Sequence, residues 1–189
     1  MGGNPKRLIV GISGASGVIY GIRLLEFLRE SGVESHLVMS KAAAVTVGLE
    51  TSRKVSEIND LADVVHKVDD IGASIASGSF KTAGMLIVPC SVKTMSEINL
   101  GVTSSLLTRA ADVTLKERRK LLLMVRETPL HLGHLRTMAS LSEVGAIIAP
   151  PVPALYTNPA SIDEMVDQTL CRLLDMFNIE MPNIKRWKS

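Results

Sequence analysis

Leu8-Ile-Val10 runs directly into Gly11-Ile-Ser-Gly-Ala-Ser-Gly17, and this junction decides the fold. A short, β-rich apolar run that ends in glycine reads as a buried strand. Beyond the glycines, Val18, Ile22, Leu25 and Leu28 fall on one helical face, with Arg23, Glu26 and Glu30 elsewhere. Gly32 stops that helix. Glycines let the backbone approach an anion closely, and the first helical turn aims free N–H groups at it. Ser13 and Ser16 add hydroxyl donors. The turn is therefore expected to hold a phosphate-bearing ligand; the plainer alternative is a tight turn with no ligand. Ser13 takes the second glycine position of G-x-G-x-x-G, so this is not the dinucleotide fingerprint. No Gly-Lys-Ser/Thr follows, so it is not a Walker A loop.

The same alternation continues outward from the turn. Ser35-His-Leu-Val-Met39 reads as a second strand, and Ser40 as the N-cap of a helix from Lys41 to Glu50. Residues 51–82 read as loops around a short helix near 56–66. Ala83-Gly-Met-Leu-Ile-Val-Pro-Cys90 is a buried strand, and Ser91 caps a helix across Lys93–Leu100. A longer helix is expected over 103–119, a strand over Leu121–Val125, a helix over 131–143 and a last strand over Gly145–Ala149. Four of the eight prolines then stiffen Pro150–Pro159. An amphipathic helix follows, with Ile162, Met165, Val166, Leu170, Leu173 and Leu174 apolar, and residues 180–189 form a polar, basic tail. Strands alternating with helices imply an α/β protein. Right-handed crossovers make it a three-layer, Rossmann-like doubly wound fold with a mainly parallel sheet. The absence of repeats and linkers makes residues 1–189 a single domain.

Composition narrows the function classes. The chain has 189 residues, 46% hydrophobic and 21% charged, within ordinary globular usage. A formal net charge of +2 gives no ground for a nucleic-acid or anionic-membrane partner. Cys90 and Cys171 lack zinc or C-x-x-C spacing, and no disulfide is expected. No apolar run reaches the ~18 residues of a membrane span. A soluble, cytoplasmic protein is expected. Aromatic residues make up only 3%, so the core must be aliphatic.

In doubly wound folds, ligands bind beyond the carboxyl ends of the strands. The segments in that position carry most of the chemically capable side chains. Pro89-Cys-Ser-Val-Lys-Thr94 offers a helix start with hydroxyls and a lysine. Arg126 and Glu127 end a very apolar strand, either as a functional pair or as a loop-fixing ion pair. Arg109 and Lys116 share a helical face and suit a phosphate, although spacing alone favours a solvated face. Glu50 closes a nearly uncharged helix, as a solvent-facing end or a pocket acid. Tyr156 stands in the rigid proline loop, where a phenol can be held over a pocket. His131 and His134 lie three apart without a third ligand, so no metal is expected. His36 and His66 read as structural or solvated.

Together these motifs resemble the flavin prenyltransferases of the UbiX type, within the flavoprotein group that includes cysteine-decarboxylase-like enzymes. The resemblance spans Lys6 to Trp187. It rests on the glycine turn, Leu37-Val-Met-Ser-Lys-Ala-Ala43, Pro89–Thr94, Arg109-Ala-Ala-Asp-Val113 with Leu115-Lys-Glu117, Arg126-Glu-Thr-Pro-Leu130 and Pro150-Pro-Val-Pro-Ala-Leu-Tyr156. It implies a metal-independent enzyme that joins the prenyl group of dimethylallyl monophosphate to N5 and C6 of reduced FMN. The prenylated FMN would pass to a UbiD-type decarboxylase, in ubiquinone synthesis or phenolic-acid metabolism. It also implies a homo-oligomer, a dodecamer, with active sites at subunit contacts.

By matched position, Gly14, Ala15, Ser16, Ser40, Ser91, Val92, Lys93, Thr94 and Arg126 would contact FMN. Tyr156 and Arg172 would bind the prenyl phosphate, helped by Arg109 and Lys116. Ser16, Glu50 and Glu127 would handle protons and phosphate departure, and Trp187 in the tail would close over the site. Two features depart from the family. Leu155 replaces a frequent phenylalanine, and Ser104-Ser105 replace acidic and amide residues. The alternatives are a phenolic-acid decarboxylase subunit and a non-catalytic FMN-binding protein. A phosphopantothenoylcysteine decarboxylase would need Pro-x-Met-Asn where Pro89-Cys-Ser-Val stands.

Overall fold

The opening apolar run forms strand β1, Arg7–Ile12, and five further strands pair with it directly or in turn, all parallel. They are β2 (Glu34–Met39), β3 (Val64–His66), β4 (Gly84–Cys90), β5 (Lys120–Val125) and β6 (Ala146–Ile148), in the spatial order β3-β2-β1-β4-β5-β6. The computed structural model describes residues 6–182. Trp187 and most of the expected closing tail lie outside the described residues. The strand order reverses between β1 and β4, which opens a crevice beyond their carboxyl ends.

Alternation along each strand feeds two cores. Leu8, Val10 and Ile12 face α1 (Val18–Ser31) and α7 (Ile162–Asp175), where Ile22, Leu25, Leu170 and Leu174 are fully buried. Ile9, Met85, Ile87, Leu121 and Leu123 face the other layer, with α4 (Val92–Asn99), α5 (Leu106–Lys116) and α6 (Leu132–Glu143) contributing to its cluster. Between strands and the first layer, α2 (Lys41–Glu50) adds Ala43 and Val47. Burying each Leu or Ile contributes about 1.5–3 kcal/mol, which suits an aliphatic core. All seven residues of β4 are buried, as a central parallel strand requires.

Two expected elements differ. The helix expected over 103–119 runs only from Leu106 to Lys116. Ser105 caps its start by accepting the Thr108 amide, and Arg118 ends the segment in the left-handed region at φ 57°. The helix expected near 56–66 is α3 (Val55–Asn59), followed by edge strand β3. His36 and His66 tie that edge strand in place. Their ring nitrogens lie 3.0 Å apart, the rings stack, and His36 is buried at 3% exposure. His36 also hydrogen-bonds Glu34 at 2.9 Å, and Arg7 pairs with the same carboxylate at 3.0 Å. Among the described residues, no helix is long and apolar enough to cross a membrane.

Candidate active site

The crevice is built around a serine that the sequence reading treated as a ligand donor. Ser13 is fully buried. Its amide and hydroxyl both donate to the Pro89 carbonyl, at 3.2 and 3.0 Å, and its oxygen accepts the Ser91 amide at 2.7 Å. Ser13 therefore clasps the end of β1 to the end of β4 across the topological switch point and is not available to a ligand. Ser13→Ala leaves the Ser91 amide without this acceptor and is expected to cost about 1–3 kcal/mol. In a domain of this size that lowers the melting temperature by about 5 °C. A thermal melt displaced by less than a degree would show the clasp to be dispensable.

The glycines act at two positions. Gly17 holds φ 98°, a conformation open to glycine at little strain, and turns the chain into α1. At Gly14 an added Cβ would meet the Ala42 side chain and stand 3.2 Å from the Ala42 carbonyl carbon. The turn is thus packed against the start of α2, while Gly14 itself stays exposed. Ser40 begins α2 by accepting the Ala43 amide at 3.0 Å, and its own amide donates to Ile12 at the end of β1.

Glu50 occupies the start of α1. Its Oε2 accepts the amides of Gly17 at 2.8 Å and Val18 at 3.0 Å, and the Ser16 hydroxyl donates to the same carboxylate. The anion seated on this helix start is the protein's own carboxylate, so the amides expected to cradle a ligand phosphate are already engaged. Partial burial pushes the Glu50 carboxyl upward. The Ser16 hydroxyl, the two amides and the charge of Arg126 outweigh burial and hold it below the ordinary carboxylate range. Open helix-start donors belong instead to α4. Ser91 caps it, accepting the Thr94 amide at 3.3 Å and donating to the Thr94 hydroxyl at 3.1 Å. The amides of Val92 and Lys93 have no partner within the helix. Thr94 is buried, Ala15 nearly so, and Lys93 reaches out to pair with Glu97 at 3.5 Å.

Arg126 leaves the end of β5 with its amide on the Cys90 carbonyl, at 3.1 Å, which ties a third strand end to the crevice. Beside it, the exposed Glu127 accepts the Thr128 amide at 2.9 Å. The fold therefore gathers Gly14, Ala15, Ser16, Ser40, Ser91, Val92, Lys93, Thr94 and Arg126 at the crevice, from beyond the ends of β1, β2, β4 and β5, with Glu50 from the end of α2.

The remaining expected residues lie elsewhere in the chain. Tyr156 is half exposed in a single 3-10 turn, Leu155–Thr157, beyond β6. Arg172, on α7, borders a cleft of about 190 Å³ lined by Ile147, Pro150, Val152, Thr169 and Leu173 among others. Arg109 pairs with Asp112 on α5. Lys116 pairs with Glu117 just before β5 begins, at the end of the sheet away from the glycine turn. Neither Arg109 nor Lys116 makes a hydrogen bond or ion pair with the turn, Glu50 or Arg126 among the described residues. The His131 and His134 rings meet with centroids 3.6 Å apart, tilted by 30°, and His131 caps α6 by accepting the Gly133 amide at 3.0 Å. Sequence reasoning missed the Ser13 clasp, the Ala42 wall and the pairing of Arg109 with Asp112 and of Arg172 with Asp175. The only local signal was a hydroxyl residue where a fingerprint glycine would stand.

The Flavoprotein family model matches residues 3–174. Flavin prenyltransferase UbiX of Escherichia coli K12 is 59% identical over 186 residues, covering 97% of this chain and 98% of that protein. The chain belongs to the UbiX-type flavin prenyltransferases. It is an enzyme of that transferase family, with the family's α/β sheet. The crystal structure of AnUbiX (PadA1) in complex with FMN and dimethylallyl pyrophosphate superposes with a TM-score of 0.97 at 45% identity, covering 98% of this chain and 99% of that one. A dodecameric FMN-dependent UbiX-like decarboxylase from Escherichia coli O157:H7 gives a TM-score of 0.94 at 47% identity, covering 97% of this chain and all of the other. UbiX-type membership agrees with the turn, the Ser91–Thr94 helix start and the Arg126-Glu127 loop that the fold draws to one crevice.

Proposed function

We propose that this chain joins the dimethylallyl group of dimethylallyl monophosphate to N5 and C6 of reduced FMN, producing prenylated FMN for a UbiD-type decarboxylase. The observation that carries the reading is the convergence of the glycine turn, the α4 start, Glu50 and Arg126 at one switch point. The residues present fit FMN. Gly14 keeps the turn flat against α2, and an anion finds donors at the α4 start because Glu50 fills the α1 start. Gly14, Ala15, Ser16, Ser40, Ser91, Val92, Lys93, Thr94 and Arg126 would hold it. The bound reduced flavin supplies the electron-rich N5 and C6 that accept the prenyl group.

The chain's own residues do the rest. Tyr156 and Arg172 receive the prenyl phosphate. The allylic C–O bond breaks with its electron pair on the phosphate, and cations around that group stabilise the departing charge. Tyr156 supplies a π face and the proline loop excludes water that would quench an allylic cation. Ser16, Glu50 and Glu127 manage protons; Glu50, held ionised, accepts from Ser16 instead of acting as a resident acid. Arg109 and Lys116 reach the site from a neighbouring copy, in an assembly of the dodecameric kind. That split accounts for their distance from the turn within one chain. Cys90 and Cys171 are buried and neither is in a disulfide, which supports a reducing, cytoplasmic setting.

The alternative is direct decarboxylation, the activity named for the relative from Escherichia coli O157:H7. Mass spectrometry of flavin after incubation with reduced FMN and dimethylallyl monophosphate separates the two. The expected result is a flavin heavier by one prenyl unit, made only when the prenyl ester is supplied. Unmodified flavin, together with decarboxylation of a phenolic acid in the absence of any prenyl ester, would overturn the proposal.

A further inference from the structure

Two imidazoles close the edge of the sheet where β3 pairs with β2. His36 on β2 is buried, and His66 on β3 is partly buried. His36 Nε2 lies 2.9 Å from Glu34 Oε1, and His36 Nδ1 lies 3.0 Å from His66 Nε2. The rings stack with centroids 5.3 Å apart, and Phe80 meets His36 edge-on at 5.0 Å. Arg7 on β1 holds the other Glu34 oxygen at 3.0 Å and lies over the Phe80 ring. Arg119, beyond α5, donates to the Phe80 carbonyl at 2.7 Å. Of the acids flanking β3, Asp63 accepts from the Ser35 amide and hydroxyl, while Asp70 favours a charged His66. Lys67 is exposed.

We propose that His36 and His66 form a pH-sensitive latch that fastens β3 and the segment after it at neutral pH and releases them in mild acid. Proton counting leads to this. An ionised carboxylate only accepts, so His36 Nε2 donates to Glu34. In the neutral ring Nδ1 is then an acceptor, and His66 Nε2 must donate to it. One added proton is tolerated, because it still leaves a donor facing an acceptor between the rings. A second proton puts N–H groups on both facing nitrogens and a positive charge on each of two stacked rings. The closed pair excludes that proton, whereas separated rings in water accept it.

The surroundings keep the latch tuned to histidine. Hydrogen bonding from His36, with Arg7 beside it, holds the Glu34 carboxyl below its ordinary range against burial, so it stays ionised in mild acid. Burial, then the neighbouring His36, hold His66 below the ordinary histidine range, and Asp70 opposes them. The folded value lies below the unfolded one. The stability of the closed latch is therefore complete above the ordinary histidine range and is lost as pH falls through the folded value. The released segment reaches the crevice. Asp69 pairs with Lys41, next to Ser40, at 2.8 Å, and the Val68 carbonyl accepts the Leu106 amide at the start of α5, also at 2.8 Å. The latch is independent of the reaction performed there.

Hydrogen–deuterium exchange of the full chain, with labelling times scaled for the intrinsic pH dependence of exchange, tests the latch. Excluding one proton from the closed form makes opening about tenfold easier at about pH 5.5 than at about pH 7.5, for an ordinary histidine value of about 6.5. In wild type, amides of β3 and residues 67–80 should show that rise, and those of β4 should not. His66→Gln keeps an N–H donor for His36 Nδ1 but cannot titrate, so its rise should vanish. His66→Phe, which keeps a stacked ring without a charge, serves the same purpose should the glutamine variant fold poorly. Wild-type protection of β3 that is equal at the two pH values overturns the proposal. So does an equal rise in β4, or a rise in the folded variant that matches wild type.

Discussion

Arg126→Ala is expected to lower kcat/KM for prenyl transfer by about 10²–10³-fold, the effect of removing a preorganised charge from a site where negative charge develops. Its position makes the loss large. The Arg126 amide is fixed on the Cys90 carbonyl at 3.1 Å, so the side chain leaves the end of β5 from a held backbone. The side chain is exposed toward the crevice region and has no ion-pair partner among the described residues, unlike Arg109, Lys116 and Arg172. Its charge also helps keep Glu50 ionised. Stability should change little, since an exposed charge contributes about 0–1 kcal/mol. Arg126→Lys should recover only part of the rate, because an ammonium keeps the charge but not the planar fork. Single-turnover measurement of prenylated flavin decides the matter. If Arg126→Ala keeps more than a tenth of the wild-type constant, Arg126 serves the loop and not the reaction.

The parts of this molecule that were legible in the sequence are those set by neighbouring residues. The strand–glycine–helix unit at Leu8–Leu28, the Ser40 and Ser91 caps and the fully apolar β4 each follow from a local pattern, and the structure has them. Strand β3 was illegible because Val64-Val-His66 is hemmed in by Asp63 and Lys67, whereas β6, equally short and at the other edge, lies within the apolar run Ala146-Ile-Ile-Ala149. Strand β3 is held by pairing with β2 and by the His36–His66 contact, and neither shows as periodicity. The start of α5 moved to Leu106 because capping at Ser105 overrode helical spacing further upstream. The site was half legible. Residue types at strand ends pointed to an anion, and resemblance supplied the flavin. The sequence could not show that Ser13 binds Pro89 and Ser91, or that Glu50 reaches Gly17 and Val18, because those partners are brought together only by the closed sheet. The glycine turn kept its importance and changed its job. It presents the amides of Gly17 and Val18 to a carboxylate of the same chain.

That changed job makes Glu50→Gln the sharpest probe of the turn. The amide keeps one oxygen for the Gly17 or Val18 N–H, but it loses the charge and places N–H donors where the protein offers only donors. The helix start should lose about 1 kcal/mol, the ordinary worth of an N-cap contact at a partly exposed site. Prenyl transfer should fall further, by about 10²-fold, the lower range for loss of a group that handles protons in the reaction. The pH dependence gives a signature that repacking cannot imitate. The folded carboxyl lies below its unfolded value, because the Ser16 hydroxyl, two amides and Arg126 outweigh burial. Its stabilising contribution is therefore complete above the unfolded carboxylate range and disappears as pH falls through the folded value. Urea denaturation of wild type and Glu50→Gln should show a constant gap from neutral pH down to about pH 5, then convergence on further acidification. A gap that persists unchanged into acid would mean that Glu50 is not an ionised cap. An ionised Glu50 at neutral pH also constrains the reaction. It can take a proton through Ser16, but it has none to give the departing phosphate at the outset.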